Sequence, residues 1–348
     1  MTPVRVPADW APHSACVLVW PWLSRVWGRH LAAAQREFVT AARTIARFEP
    51  VLVLAHPVAA PKAREWCGPQ VKIAEVACDD LWARDTCPVF AIDERGALSG
   101  LDSGFDGWSG KALAWWRDAG LARELCALLG VPSRRAGAVL DAGAVLTDGE
   151  GTLILGEECL RARNPGLGKE ELTRIAAGAY GAEVVIWLPF GLFGDETDGH
   201  VDGVAAFLGP GRVLAQSGKD CGGPDEERLA RNLDVLRAST DARGRALEVV
   251  EIREYPEIFL GDEAIAVNYV NFYLPTGAVV VPMGGVPEDE AVLALLRAQF
   301  PDRSVVGVPA RALAWGGGGI RCLTQPIPRL TPVPGRREPA QRREKSSS

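Results

Sequence analysis

The sequence lacks any run of about 18 apolar residues, the length at which a membrane-spanning helix becomes a candidate. Its opening segment, MTPVRVPADW, contains no basic stretch followed by an apolar one, which is the pattern of a secretory signal. Membrane insertion and export are therefore not expected. These two absences predict a cytoplasmic protein without a membrane partner.

Basic residues are fewer than acidic ones. The chain has 38 lysines and arginines and 44 aspartates and glutamates, which gives a net charge of −6. Proteins that bind nucleic acid through its phosphates carry basic patches, so no nucleic-acid partner is expected. An acidic protein can instead attract a cationic small molecule. The sequence leaves the oligomeric state open, and a homo-oligomer is compatible with it.

The eight cysteines include no CxxC pair, and the chain has neither an HExxH motif nor the spaced ligands of an EF-hand loop. A disulfide framework, a structural zinc site and a calcium loop are therefore not expected. Most of the cysteines are predicted to be reduced core residues. No motif in the chain calls for a metal or an organic cofactor.

Apolar strand-like segments alternate with amphipathic helical segments along the whole chain. Strands and helices recur in a ββαβ order five times. The helical segments are predicted at 30–48, 111–129, 168–180, 224–236 and 288–300. Hairpins that alternate with helices predict mixed sheets. A doubly wound α/β fold fits less well, because its strands are joined mainly by helical crossovers.

The five units follow one another without a Pro- or Ser-rich linker. This continuity predicts one pseudo-symmetric α/β domain over 1–332, with its polar loops gathered at one end. The segment 333–348 is rich in Pro, Arg, Glu and Ser and is predicted to be a solvated tail.

Four consecutive glycines precede a cysteine in GGGGIRCLTQ, which contains Cys322. Such a run lets the backbone approach a ligand closely or adopt positive φ. A flexible loop with a buried cysteine explains this motif equally well when it is taken alone. The run is still the strongest local signal for a nucleophile in the chain.

An acidic cluster surrounds one of the four histidines in GDETDGHVDG. His200 and Asp202 precede an apolar strand, and as strand residues they would project to the same face. A histidine beside a carboxylate offers a proton carrier and an anion in a small volume. A hydrogen-bonded loop histidine among capping acids is the alternative.

Several acids lie beside a tryptophan in CDDLWARDTCPVF. Carboxylates and an aromatic face are the groups that best hold a planar cation with several N–H donors. The candidates in this run are Asp79, Asp80, Trp82 and Asp85. An internal salt bridge between Arg84 and an aspartate is the better interpretation of the run by itself.

A fourth run, LDAGAVLTDGEGTLILGEECLRARNPG, contains a hairpin turn at DGEG and a loop at RNP that feeds a helix. Asp141, which precedes an Ala-Gly pair, is the candidate for the site in this run.

Taken together, these runs resemble the agmatine deiminase and bacterial-type peptidylarginine deiminase family of the guanidine-modifying superfamily. The motifs PADWAPHSACVLVWP, DDLWARDTCP, LDAGAVLTDGEGTL, RARNPGL, VIWLP, DGHVD, YVNFY and GGGGIRCLTQ occur in the family's order. The resemblance implies a five-bladed α/β propeller and hydrolysis of a guanidinium group. It identifies Cys322 as nucleophile, His200 as general acid/base, Asp85 and Asp202 as guanidinium ligands, and Asp141 as support for the histidine.

The chain departs from the family pattern at several positions. Arg321 precedes the nucleophile where histidine is usual, and Asp79 stands in place of asparagine. Arg321 is expected to help the Cys322 thiolate. The substrate is expected to be agmatine, with arginine in a peptide as the alternative. Amidino transfer and a catalytically silent guanidine- or polyamine-binding protein stay open.

Overall fold

The computed structural model describes residues 3–219, 222–253 and 258–330. The predicted tail at 333–348 lies outside these residues. The strands are β1 (Val4–Arg5), β2 (His13–Val19), β3 (Val51–Ala55), β4 (Val71–Glu75), β5 (Val89–Asp93), β6 (Leu98–Asp102), β7 (Ser133–Arg135), β8 (Val145–Thr147), β9 (Thr152–Gly156), β10 (Val184–Leu188), β11 (Ala205–Gly209), β12 (Arg212–Ser217), β13 (Glu248–Arg253), β14 (Ile258–Leu260), β15 (Glu263–Ile265), β16 (Ala278–Met283), β17 (Ser304–Pro309) and β18 (Gln325–Pro328).

The α-helices differ in length from short single turns to segments of four turns. They are α1 (Ser24–Trp27), α2 (Leu31–Ile45), α3 (Ala60–Cys67), α4 (Ala83–Thr86), α5 (Gly107–Gly110), α6 (Asp118–Leu129), α7 (Glu157–Arg163), α8 (Lys169–Tyr180), α9 (Pro224–Ala238), α10 (Glu288–Gln299), α11 (Arg311–Trp315) and α12 (Ile320–Leu323). Three 3-10 turns lie at Gly28–His30, Ala142–Ala144 and Val201–Gly203.

The strands form small separate sheets that repeat one order. In each of four sheets an antiparallel pair is followed by a parallel strand: β18-β2-β3, β5-β6-β7, β8-β9-β10 and β11-β12-β13. In the fifth, Tyr273 forms an antiparallel bridge to β16, which then pairs in parallel with β17. The α/β class and the mixed sheets predicted from the sequence are confirmed. The propeller arrangement of the five units stays a prediction.

The parallel connections contain the long helices, whose apolar faces cover the sheets. In α2, Ala34, Phe38, Ala41 and Ile45 follow at intervals of three and four and are all buried. α9 packs in the same way against β10 and β12. Because β18 pairs with β2, the end of the described chain completes the sheet that begins near its start.

One predicted helix is wrong in its first part. The sequence pattern predicted a helix over 111–129, whereas α6 begins only at Asp118. Residues 111–117 form turns and bends instead of a helix. The Asp79 carboxylate also accepts the backbone N–H of Arg117, so a contact from a distant loop holds the segment outside the helix.

The placement of His200 and Asp202 on a strand is also wrong. Asp202 lies in the 3-10 turn Val201–Gly203, which directly follows His200. The strand β11 begins only at Ala205, three residues after Asp202. The Asp195 carboxylate accepts the backbone N–H groups of Gly199 and His200, which folds this loop on itself before the strand starts.

No helix within the described residues is long and apolar enough to cross a membrane.

Candidate active site

Cys322 lies in the wall of a cavity of about 530 Å³, near the ends of several strands. His200 and Trp82 contribute to the same wall. The charged side chains that line it are Asp85, Asp195, Glu196, Asp202 and Glu263. No lysine or arginine of the described residues lines this space. The cavity therefore has the electrostatic character of a cation-binding site.

The short helix α12 presents Cys322 to the cavity. The Cys322 backbone N–H donates to the Asn271 side-chain oxygen at 3.1 Å, which fixes the turn. The glycine run brings this segment close to the opposite wall, because a Cβ at Gly318 would lie 2.3 Å from the Trp82 ring. The glycine run therefore packs its backbone directly against the Trp82 ring, whereas a close approach to a ligand stays a prediction.

The thiol of Cys322 lies beside a carboxylate. Its Sγ is 3.8 Å from the Asp202 Oδ2. Burial raises the pKa of this thiol well above its ordinary value, and the negative charges of Asp202 and Asp85 raise it further. Cys322 is thus held as a neutral thiol. A positive charge between the two carboxylates would oppose both of their effects and favour the thiolate.

This electrostatic state has a measurable consequence. Alkylation of Cys322 by neutral chloroacetamide should show a midpoint at a pH above about 8.5, the pKa of an ordinary cysteine. The sulfur becomes reactive only after it loses a proton that burial and the carboxylates retain. The rate would be measured from about pH 6 to about pH 10 with Cys322→Ala as the control. A midpoint at or below the ordinary value would show a stabilised thiolate and contradict this description.

His200 lies between two carboxylates. Its Nε2 is 3.3 Å from Asp141 Oδ2, and its Nδ1 is 3.7 Å from Asp85 Oδ2. Burial by itself lowers the pKa of His200, but Asp85, the neighbouring Cys159 and Asp141 outweigh it and raise the pKa well above the ordinary value. His200 is therefore held in its protonated form, in which it can donate a proton to a leaving group.

Gly143 makes room for this imidazole. A Cβ at Gly143 would lie 2.2 Å from the His200 Nδ1, so any side chain there would displace the ring. The Gly143 backbone N–H also donates to Asp85 Oδ1 at 2.8 Å. One glycine thus positions both the histidine and its neighbouring carboxylate.

Trp108 supplies the second hydrogen bond to Asp85. Its indole Nε1 donates to the Asp85 Oδ2 at 3.1 Å. Trp108 has a φ of 54°, a left-handed conformation that is costly for a bulky residue. Such strain persists only where the surrounding structure imposes it, and it is concentrated at functional sites. This strained turn therefore aims the indole at a carboxylate of the cavity.

Replacement of Trp108 by phenylalanine is expected to lower kcat about tenfold, because a hydrogen bond to a charged group contributes about 1.5 to 3 kcal/mol. Asp85 would keep its charge but lose one of the two donors that fix its plane. The measurement is steady-state turnover of the preferred guanidine substrate. Trp116→Phe, at an exposed tryptophan outside the cavity wall, is the matched control. Equal rates for both variants would contradict a role for the indole.

Asp141 is held from behind by a buried arginine. The Arg163 Nε donates to Asp141 Oδ2 at 2.9 Å, and its Nη1 donates to Asp198 at 2.7 Å. Asp141, Cys159 and His200 also bring possible metal-ligand atoms within 4.8 Å of one another. The Arg163 guanidinium already provides a positive charge for this cluster. Asp141 thus lies within reach of His200 at 3.3 Å, and its role as support for the histidine stays a prediction.

Arg321 does not contact the thiol, contrary to the role expected for it. Its side chain turns away from the cavity and forms ion pairs with Asp202 at 2.8 Å and with Asp9 at 2.9 Å. Its Nη1 also donates to the Ala142 carbonyl oxygen. The physical reason is that a buried guanidinium needs carboxylates and carbonyl oxygens around it. Arg321 therefore holds Asp202 from behind and does not line the cavity.

Asp79 and Asp80 are not in the wall of this cavity, although the sequence grouped them with the site. The Asp79 carboxylate receives the backbone N–H of Arg117 at 2.9 Å and its guanidinium at 2.6 Å. These donors saturate Asp79 inside the protein. Asp80 lies in an adjoining cavity, where its Oδ1 accepts the Trp27 indole N–H at 2.9 Å.

Sequence reasoning missed three residues that shape the site: Trp108, Arg163 and Asn271. The motifs RARNPGL and YVNFY contain Arg163 and Asn271. A buried arginine or asparagine must have polar partners, but the sequence did not show that those partners were Asp141 and the Cys322 backbone. Nothing in the sequence indicated that Trp108 belongs to the site, because its strained backbone is visible only in the structure.

The fold and the site together define an α/β enzyme in which a cysteine, a histidine and buried carboxylates face a cation-binding cavity. Residues 5–328 match the Porphyromonas-type peptidyl-arginine deiminase family. This chain belongs to that family.

Relatives with defined names are similar over almost the whole chain. An agmatine deiminase of Stutzerimonas stutzeri is 39% identical over 93% of this chain and 95% of its own length. An agmatine deiminase of Pseudomonas aeruginosa is 37% identical over 93% of this chain and 96% of its own length. The solved structure of the agmatine deiminase of Enterococcus faecalis superimposes with a TM-score of 0.90 at 29% identity, and it covers 94% of this chain and 97% of its own.

Proposed function

We propose that this protein is an agmatine deiminase, which hydrolyses the guanidinium group of agmatine to N-carbamoylputrescine and ammonia. The observation that carries the proposal is the constellation of one thiol, one protonated imidazole and carboxylates in a cavity without an unpaired basic side chain among its described lining. The names of the similar proteins support the same substrate. We propose that the reaction takes place in the cytoplasm, where reduced cysteines are expected.

Binding places the guanidinium between Asp85 and Asp202. Carboxylates hold a planar guanidinium best by paired, charge-assisted hydrogen bonds. The two acids lie on the His200 side and the Cys322 side of the cavity, respectively. The bound cation would add a positive charge beside the thiol, which lowers the pKa of Cys322 and releases its proton to the solvent. The substrate itself thereby activates the nucleophile.

In the first half of the reaction, the Cys322 thiolate attacks the guanidinium carbon and forms a C–S bond. His200 donates its proton to one terminal NH2 group, whose C–N bond then breaks and releases ammonia. The product of this half is a cationic amidino-thioether on Cys322. Orientation of the carbon against the sulfur is the main contribution of the two carboxylates.

In the second half, a water molecule attacks the amidino carbon and His200, now neutral, accepts its proton. The C–S bond breaks, the electron pair returns to sulfur, the second proton of the water restores the Cys322 thiol, and the ureido product leaves. Asp141 holds the imidazole ring in one orientation through both proton transfers, as the third member of a triad does. The cycle consumes one water and needs no redox partner.

The far end of the substrate meets Glu196. Of the acids that line the cavity, Glu263 is already paired with Arg29 and His30, whereas Asp195 accepts hydrogen bonds from its own loop. Glu196 has no hydrogen-bond or ion-pair partner within the described part of the chain, and it is exposed. An ammonium group fits beside it. The α-carboxylate of free arginine would instead be repelled by the acids around it.

Glu196→Gln is expected to raise KM for agmatine about fivefold, with kcat changed less. An exposed ion pair contributes only about 1 kcal/mol or less, which limits the effect. An alkylguanidine of the same length without the amine should show no such change. The comparison requires KM for both compounds in the wild type and in the variant. If both values of KM rise equally, Glu196 does not read the ammonium group.

Two other reactions are tested by the same assay. Product formation would be compared among agmatine, free arginine and an arginine-containing peptide. Preference for the peptide would assign the protein as a peptidylarginine deiminase. If product forms only when a second amine is added, the protein is an amidinotransferase. Binding without any product would indicate a catalytically silent protein.

A further inference from the structure

A second cavity adjoins the active site and has no role in the reaction described above. Its volume is about 620 Å³. Five residues line both cavities, so the two spaces share one wall: Trp82, Trp108, Glu196, Trp315 and Gly316. Glu196 thus lies at the boundary between the two cavities.

The wall of the second cavity is rich in indole rings. The ring centroids of Trp27 and Trp82 are 6.0 Å apart. The ring centroids of Trp27 and Trp315 are also 6.0 Å apart. Trp108 completes this set. Indole faces attract alkylammonium groups through their quadrupole and pack against methylene chains.

Asp80 gives this aromatic cavity a partly buried acid. Burial raises the pKa of Asp80 to about 6, and no lysine or arginine of the described chain forms an ion pair with it. The basic side chain that lines the cavity, Lys111, is already paired with Asp198. Asp79, by contrast, is neutralised by Arg117. A cation supplied by a ligand would thus complete the environment of Asp80.

We propose that Asp80 and the surrounding tryptophans form a second cation subsite, which binds the terminal ammonium group of a guanidino-polyamine. The proposal rests on the proposed deiminase function, which it extends from agmatine to a longer polycation. The secondary amine of such a substrate lies beside Glu196, where the primary amine of agmatine lies. The next amine reaches Asp80. A peptide fits less well, because indoles and a carboxylate offer few partners to its carbonyl groups.

The test compares agmatine with an agmatine that carries a further aminopropyl group. The wild type should show a kcat/KM about tenfold higher for the longer compound, the scale expected for one desolvated cation on indole rings. Asp80→Asn should lower the ratio of the two kcat/KM values about fivefold. The asparagine oxygen can still accept from Trp27 and from the Leu81 N–H, so the fold is preserved. Asp302→Asn, at an exposed turn, is the matched control.

Failure of the subsite and failure of the proposed function give different results. If agmatine is hydrolysed but the ratio stays near one and Asp80→Asn leaves it unchanged, the subsite is overturned and the deiminase stands. If neither compound is hydrolysed, calorimetry with Cys322→Ala decides: tighter binding of the longer compound, lost with Asp80→Asn, would support the subsite without the reaction. An effect of Asp80→Asn on an arginine peptide alone would overturn the proposal.

Discussion

Replacement of Cys322 by alanine is expected to lower kcat for agmatine by at least about four orders of magnitude, the scale seen when a covalent nucleophile is removed. The reaction needs a bond between sulfur and the guanidinium carbon, and no other side chain of the described cavity wall carries a nucleophile of this strength. The carboxylates and His200 would stay in place. The dissociation constant of agmatine should therefore change only a few-fold.

The matched control for this variant is Cys67→Ala. Cys67 is a buried core residue at the end of α3, away from the cavity. Its replacement should cost some stability and leave kcat near that of the wild type. If Cys322→Ala retained more than about one hundredth of the activity, the covalent route would be wrong.

Replacement of Asp85 by asparagine is expected to lower kcat/KM for agmatine about a thousandfold. Removal of one partner from a buried charge pair costs about 3 to 5 kcal/mol, and each 1.4 kcal/mol corresponds to a factor of about ten. The new amide also has to face the Trp108 N–H or the Gly143 N–H, both of which are donors. The guanidinium thus loses both a charge and an acceptor.

The same variant should change the pH dependence of the reaction. Asp85 is one of the charges that raise the pKa of His200, so its neutralisation lowers that pKa. In a plot of kcat against pH, the fall in kcat that accompanies loss of the His200 proton should therefore occur at lower pH. Asp234→Asn, on the exposed side of α9, is the matched control. A profile identical to that of the wild type would contradict contact between Asp85 and His200.

Local patterns predicted most of the framework. The five helical segments were visible because their apolar residues recur at intervals of three and four, as in α2 and α9. The prediction of a helix over 111–117 was wrong, because contacts with distant residues override the helical pattern of this segment. The Asp79 carboxylate accepts the Arg117 backbone N–H at the end of this segment, and that contact is not visible in the local sequence.

At the site, the motifs identified residues whose side chains suit the reaction. They did not show in which direction each side chain points. Cys322, His200, Asp85 and Asp202 come together in one cavity, as the ordered motifs predicted. Arg321 directly precedes Cys322, yet adjacent residues on a helical turn face different directions. Its guanidinium therefore points to Asp9 and Asp202.

The central claim is that water resolves a covalent intermediate on Cys322 during hydrolysis of agmatine. The most direct measurement is the reaction of agmatine in amine-free buffer made with water enriched in oxygen-18, followed by mass spectrometry of the product. We expect N-carbamoylputrescine with one labelled ureido oxygen, one ammonia per product, and neither from Cys322→Ala. Product without the label, or equal product from the variant, would contradict it.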